Sequence, residues 1–246
     1  MIIDCHAHLG ASWLGWFDNE VDADGLVKIY DKFGVDKACI NSWEIYCDIP
    51  RGNNEIVEAV EKYPDRFIGF AVVSPRYGKQ ALYELDRCVN DLGMKGLKLH
   101  PSVGCWHADS DIVNPVMERA RKYGLPVLFH SWSDTYSHPH AIGNIAGRYP
   151  EVTVIMGHMG FEEWLEAVMV AKRNSNILLD TTGTTSDLVI IKTAYEELGA
   201  ERIVFGSDAP ALGVGPEMAK VQYADIPEEA KKKILGENMA HLLDLA

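Results

Sequence analysis

Basic residues are scarce in this chain of 246: 23 Lys and Arg stand against 36 Asp and Glu, a formal net charge of −13. Nucleic acid and anionic membrane surfaces select for basic patches, so neither is expected as a partner. A small anionic substrate is still allowed, because a bound cation can dominate the field locally. The five cysteines (Cys5, Cys39, Cys47, Cys88 and Cys105) are odd in number and form no C-x-x-C pair. They signal neither a disulfide framework nor a zinc ribbon, and reduced thiols in a cytoplasmic setting are the simpler expectation. No stretch approaches the ~20 apolar residues of a membrane span. The first residues lack the basic segment and long apolar run of a secretory signal. No Pro/Ser-rich linker or low-complexity tract divides the chain, so one domain over residues 1–246 is expected. The turn after the first apolar run, "CHAHLGASW", contains no G-x-G-x-x-G, so a dinucleotide fold loses its main signal.

What the chain does have is a beat. Short apolar runs begin near Ile2, Val35, Arg66, Lys95, Leu125, Val152, Asn176 and Glu201, 24 to 33 residues apart. That interval fits a strand, a loop, a helix and a return turn. Five segments between them carry apolar residues at helical spacing: "DADGLVKIYDKF", "NNEIVEAVEKY", "KQALYELDRCVNDLG", "DIVNPVMERARKYG" and "FEEWLEAVMVAKR". Gly93 and Gly124 stand where C-caps are expected. The final "PEEAKKKILGENMAHLLDLA" reads as two short helices broken near Gly236. Eight strands alternating with helices predict an α/β fold, and eight units in this length fit a closed (β/α)8 barrel of the TIM type better than an open sheet.

In such a barrel, chemistry sits at the C-terminal strand ends. Strand 1 ends in His6 and His8, two apart and so on one face. Strand 4 ends in Lys98 and His100, strand 5 in His130, strand 6 in His158 and strand 8 in Asp208. Imidazole and carboxylate are the usual non-thiolate ligands of a catalytic divalent ion, which keeps a position for water. Singly, each has a plainer reading: His130 as a hydrogen-bonded core histidine, His158 as incidental in a glycine turn, Asp208 as a helix cap before Pro210. Jointly, at strand ends that converge on one mouth, they predict a metal site. His100 is open between substrate contact and a bond within its own loop. His107, His138 and His140 are left open, and His241 reads as structural. Trp13, Trp16, Trp43, Trp106 and Trp132 all follow strand ends, which suggests an aromatic-walled mouth. Arg51 and Arg76 are candidates to hold a substrate carboxylate.

The ordered set "DCHAHLG", "GLKLHP", "LPVLFH", "VIMGHMG", "VFGSDAP" and "ILGENMAHLL" resembles the amidohydrolase superfamily. More narrowly, it resembles the branch that includes aminocarboxymuconate-semialdehyde decarboxylase and related decarboxylases. The resemblance runs from Ile2 to about Leu243. It implies His6, His8, His130 and Asp208 as ligands of one divalent ion, zinc first, with Mn2+, Fe2+ or Co2+ as substitutes. It implies His158, with Asp208, as the groups that handle protons at the metal-bound water. Lys98, His100, Arg51, Trp13 and Trp132 are the expected substrate contacts. Lys98 is expected to be unmodified rather than a carboxylated bridge between two ions. The expected activity is hydrolysis of a small amide, ester or lactone by a metal-activated water. The alternatives are non-oxidative decarboxylation of a small aromatic or unsaturated acid, and a metal-binding barrel without catalysis. The expected partner is a small molecule, carboxylate-bearing or aromatic, with the oligomeric state open between monomer and homodimer.

Overall fold

The computed structural model describes residues 1–10, 21–43, 48–183 and 188–245. Eight strands lie in chain order: β1 (Ile3–Leu9), β2 (Lys37–Ser42), β3 (Phe67–Val72), β4 (Gly96–Leu99), β5 (Val127–Phe129), β6 (Val154–Met156), β7 (Ile177–Asp180) and β8 (Ile203–Val204). Every successive pair is parallel. The seam between β8 and β1 is closed by backbone bonds beyond the two-residue β8. Cys5 donates to the Phe205 carbonyl, Asp208 to that of His6 and His8 to that of Ala209, each at 2.8 Å. All eight expected strands are therefore present, and they form the expected barrel.

The outer layer contains α1 (Ala23–Phe33), α2 (Ile49–Lys62), α3 (Lys79–Asn90), the short α4 (Pro101–Gly104), α5 (Asn114–Tyr123), α6 (Pro139–Arg148), α7 (Trp164–Arg173), α8 (Val189–Leu198) and α9 (Val214–Gln222). Helix α1 shows why such segments start and stop. Asp22 accepts the Gly25 amide at 2.8 Å, Leu26 and Tyr30 share the buried face, and Gly34 at φ 71° takes the left-handed cap. Periodicity alone did not mark α6, α8 or α9. In α6 the apolar stripe is interrupted by Gly143 and Gly147, which let α7 approach: a Cβ on Gly143 would lie 2.5 Å from Val170 Cγ1. Among the described residues no helix is long and apolar enough to cross a membrane.

The C-terminal segment departs from expectation. It does not break at Gly236. Helix α10 (Glu228–Lys232) runs through a π-helical turn, Lys233–Glu237, into α11 (Asn238–Leu242). Gly236 is small because the backbone of Met1 passes directly against it. The glycine serves a close crossing under the barrel and not a chain break.

Two apolar clusters fill the molecule. The larger packs strands against helices. The smaller takes Ile3, Cys5, Cys39, Ile68, Phe70, Leu128, Ile155 and Val204 from the strands and Met239 from α11, and so fills the barrel lumen and its floor. Strand alternation then fixes what lies above. In β5, Leu128 points inward and so does His130. Leu178 in β7 shares its parity with Asp180. In β4, Gly96 and Lys98 share the inward parity. Phe70 faces Gly96 across the pair, and a Cβ there would lie 2.5 Å from the Phe70 ring. Gly96→Ala is therefore expected to destabilise the fold by about 1–3 kcal/mol through overpacking, read as a lower urea midpoint. Combining it with Phe70→Leu should restore part of the loss.

Candidate active site

Strand β1 breaks the parity rule, and this places the site. Ile3 and Cys5 point into the lumen, so unbroken alternation would turn His6 and His8 outward. The pairing register with β2 shifts between Asp4 and Ala7, as at a β-bulge. Both histidines are thereby re-aimed inward, while Ala7 and Leu9 join the helix-facing core. Asp4 holds this irregular stretch. Its carboxyl accepts the His6 and Ser207 amides at 3.0 Å each, the Tyr30 hydroxyl at 2.8 Å, and the Ser207 hydroxyl. Burial raises its pKa to about 7, against the opposing pull of those bonds.

The two proposed proton-handling residues also sit on unusual backbone. His158 lies at φ 57° and Asp208 at φ 55°, and Met159, Gly160 and Phe161 continue the left-handed run after His158. Left-handed conformations cost an ordinary residue roughly 1–2 kcal/mol, and such strain concentrates at functional sites. Asp208 is not a helix cap, since its carboxylate meets His8 Nε2 at 2.8 Å.

These residues line one cavity of about 510 Å3 at the C-terminal mouth. On its floor, His6 Nδ1 lies 2.8 Å from Asp180 Oδ2 and His6 Nε2 2.5 Å from Lys98 Nζ. His6 Nε2 is 3.5 Å from Asp208 Oδ1, and His158 Nε2 is 3.0 Å from His130 Nδ1. Burial, with the Lys98 charge beside it, lowers the His6 pKa to about 3. Burial also lowers His8 and His158, and pushes His100 and His130 well below the usual imidazole range. Asp180 shows the opposite balance: burial would raise it, but the His6 bond and the imidazoles around it hold it at about 2. Asp208 is kept well below the carboxylate range, where the His8 bond and neighbouring imidazoles outweigh burial. Lys98 is lowered by burial to about 8, with Asp208 and Asp180 opposing a further fall. Near neutral pH the floor thus carries two carboxylates, one ammonium and neutral imidazoles. Ionised Asp180 can only accept, so His6 donates from Nδ1 and turns its Nε2 lone pair into the cavity.

The donor set suits a divalent ion. One ligand atom each from His6, His158 and Asp208 lies within 4.8 Å of the others. His8 and His130 each stand one contact outside that trio, against Asp208 and His158 respectively. The structure therefore gathers every strand-end residue picked out in the sequence, but the tightest trio contains His158 in place of His8 and His130. His100 does both things left open for it: it lines the cavity, and its Nδ1 accepts the Val103 amide at 3.4 Å.

Flat rings make the walls. Trp43 stacks on His8 at 4.0 Å, His100 on His130 at 3.7 Å, and Trp132 on Phe161 at 3.7 Å. Other expectations fall away. Arg51 sits in the first turns of α2 beside Glu55, at 3.2 Å, lining a different hollow. Arg76 donates to the Gly104 and Cys105 carbonyls. Neither arginine lines the cavity, because each side chain is engaged at its own surface. Trp106 is buried in the strand–helix core and does not face the cavity. Trp13 and Trp16 lie outside the described residues. Phe161 and Asp134, both lining the cavity, were passed over. Asp180 is a further floor residue that the sequence reading did not select, although "NILLD" ends strand 7 in an acid by the same rule that marked Asp208.

The amidohydrolase model Amidohydro_2 matches residues 3–245. The chain belongs to the amidohydrolase family. Within that family it falls in the aminocarboxymuconate-semialdehyde-decarboxylase-like branch. A gamma-resorcylate decarboxylase of Polaromonas sp. is 26% identical over 247 residues, covering 79% of this chain and 76% of its own. A 2-amino-3-carboxymuconate-6-semialdehyde decarboxylase of Dictyostelium discoideum is 30% identical over 80 residues, 32% of this chain and 22% of its own. Among solved structures, a 2,6-dihydroxybenzoate decarboxylase complexed with 2,6-dihydroxybenzoate superposes with a TM-score of 0.82 at 19% identity, over 99% of both chains. A 5-carboxyvanillate decarboxylase from Novosphingobium aromaticivorans, holding manganese and 4-hydroxy-3-methoxy-5-nitrobenzoic acid, gives 0.79 at 17% identity, over 100% of this chain and 96% of its own. These superpositions show the barrel fold that this amidohydrolase shares with them.

The Asp180–His6 bond gives a testable pH dependence. A carboxylate with a depressed folded pKa contributes stability that is present above its unfolded value and lost as pH falls through the folded one. For Asp180 that window runs from the ordinary 3.8 down to about 2. In chelator, Asp180→Asn should lose less urea stability between pH 7 and pH 3 than the wild type does. An equal loss in the two proteins contradicts the assignment.

Proposed function

We propose that this amidohydrolase is a metal-dependent, non-oxidative decarboxylase of a small hydroxylated aromatic acid. The observation that carries the reading is the combination of flat stacked walls with a polar, buried floor. Trp43 and the stacked Trp132–Phe161 pair line a cavity that suits a planar ring, above a floor of Lys98 and Asp208 that suits its carboxylate and the ion beside it. The relatives support the same class, since the gamma-resorcylate decarboxylases match 79% of the chain. Hydrolysis of an amide, ester or lactone takes second place, because no relative named above has that activity.

One divalent ion suits the site, held by His6 and Asp208 with His8, His130 and His158 around them. Manganese occupies the carboxyvanillate decarboxylase named above. A mixed imidazole and carboxylate set accepts Mn2+ as well as Zn2+. When bound, the ion supplies a fixed positive charge that attracts carboxylate and phenolate oxygens. The buried floor carries Asp180, Asp208 and the Lys98 ammonium, a net charge of about −1. A dication turns this to about +1, which a monoanionic acid neutralises. The His6 Nε2 lone pair serves one cation at a time, so an ion held there would displace the Lys98 ammonium, which would then be free to donate to the substrate carboxylate.

Decarboxylation breaks the bond between ring and carboxylate, releases CO2 and leaves an electron pair that a proton must take up. Asp208 is ionised and so accepts the proton of a substrate hydroxyl. It then returns that proton to the ring carbon that loses CO2. His158, in contact with His130, orients the acid and exchanges protons with solvent. Trp132 and Phe161 exclude water from one face of the ring.

The test is CO2 release from a panel of hydroxybenzoates by protein loaded with Mn2+ or Zn2+, beside a panel of esters, lactones and amides. Hydrolysis without CO2 release would sink the decarboxylase reading. Asp208→Asn is expected to lower turnover by about 10²–10⁴-fold. His158→Asn should also lose turnover but keep stoichiometric metal by elemental analysis. If its metal is lost as well, His158 is a ligand. His6→Ala with His8→Ala should lose metal and still fold by circular dichroism, since the mouth of such a barrel is separable from its stability.

A further inference from the structure

A second group of ligand-type side chains lies outside the cavity. His138, Glu163 and Glu166 each offer a ligand atom, all within 4.8 Å of one another. His140 lies beside this group, against Glu166: Glu166 Oε2 is 3.2 Å from His140 Nε2 and 3.4 Å from His138 Nε2. That oxygen is buried, yet it has no hydrogen-bond partner. Two ring nitrogens therefore stand beside a carboxylate oxygen without bonding to it. Ligands about 2.0–2.1 Å from a tetrahedral zinc are about 3.3–3.4 Å apart, and the two imidazole nitrogens stand at about that spacing from the one carboxylate oxygen.

The charges point the same way. Glu163 and Glu166 are three apart at the start of α7 and repel each other. Among the described residues, neither carboxylate meets a lysine or arginine at ion-pair distance. The two histidines are presented by the "SHPH" segment, with Pro139 opening α6 and ring centroids 5.4 Å apart. Ligation through His138 Nε2 requires the proton on Nδ1, which gives up the bond Nδ1 accepts from the His140 amide. At 3.3 Å that bond is long, and its loss is minor beside four charged or polar ligands.

We propose that His138, His140, Glu163 and Glu166 form a second divalent-cation site, of the zinc class, separate from the cavity. It ties the segment after β5 to the start of α7. Trp132 belongs to the first of these and Phe161 immediately precedes the second, and the two stack to make one wall of the cavity. Gly160 is also packed tightly here, since a Cβ on it would lie 2.9 Å from Pro139 Cγ. A bound ion would thus brace that wall without touching the substrate.

The test uses the full chain, stripped by chelator and titrated with Zn2+ alone, followed by calorimetry and by elemental analysis after gel filtration. The wild type is expected to hold one more zinc than His140→Asn combined with Glu166→Gln, whatever the cavity binds in both. Should the double variant fold poorly, His140→Asn alone decides. Its side chain is 57% exposed, and its loss should weaken one binding event on the order of 10–100-fold. Equal zinc content and matching isotherms across the wild type and the folded variants overturn the proposal.

Discussion

The hydrogen bond from His6 Nδ1 to Asp180 is the contact on which the rest of the site depends. It joins β1 to β7 past the intervening β8, and both side chains are fully buried. Because Asp180 stays ionised, the bond fixes the His6 tautomer and directs the other nitrogen at Lys98 and Asp208. Asp180 also lies 3.4 Å from the His158 amide, at the start of the left-handed run that turns His158 inward. One carboxylate therefore sets the aim of His6 and steadies the backbone of His158.

That arrangement runs against the cheapest choices of the backbone. A bulge reverses the parity of β1, and left-handed residues occur after β6 and β8. These costs are borne where a barrel can absorb them, at strand ends above a filled lumen. The lumen itself is conventional, with one or two apolar residues below the charged layer from every strand except β4, whose inward positions are Gly96 and Lys98. Burial then does the electrostatic work: it keeps the imidazoles neutral as donors of lone pairs, while hydrogen bonding keeps Asp180 and Asp208 ionised. A site with a net negative floor and neutral histidines attracts a cation first and an anionic substrate second.

Much of this was legible from the sequence for a simple reason. Strand-like apolar runs recur eight times, with helical periodicity in five of the segments between them, and ligand-type residues at strand ends need no tertiary information to be recognised. His6, His8, Lys98, His130, His158 and Asp208 were identifiable in that way. What was not legible depends on chain paths between elements. Arg51 and Trp106 follow strands just as Trp43 and Trp132 do, but a salt bridge holds one and the strand–helix core takes the other. The bulge between Asp4 and Ala7 leaves no local signature, because it is sustained by Asp4 contacts to Tyr30 and to Ser207, 203 residues away. Gly236 looked like a helix break because the proximity of Met1 is invisible along the chain.

In the proposed reaction the floor delivers a proton to a ring carbon as CO2 departs. The most direct measurement is NMR and mass analysis of the product formed from 2,6-dihydroxybenzoate, the acid bound by a structural neighbour, in D2O with Mn2+ present. One molecule of CO2 per product and one deuteron at the carbon that carried the carboxylate are expected. An intact carboxylate, with turnover confined to ester, lactone or amide bonds, would contradict that reaction.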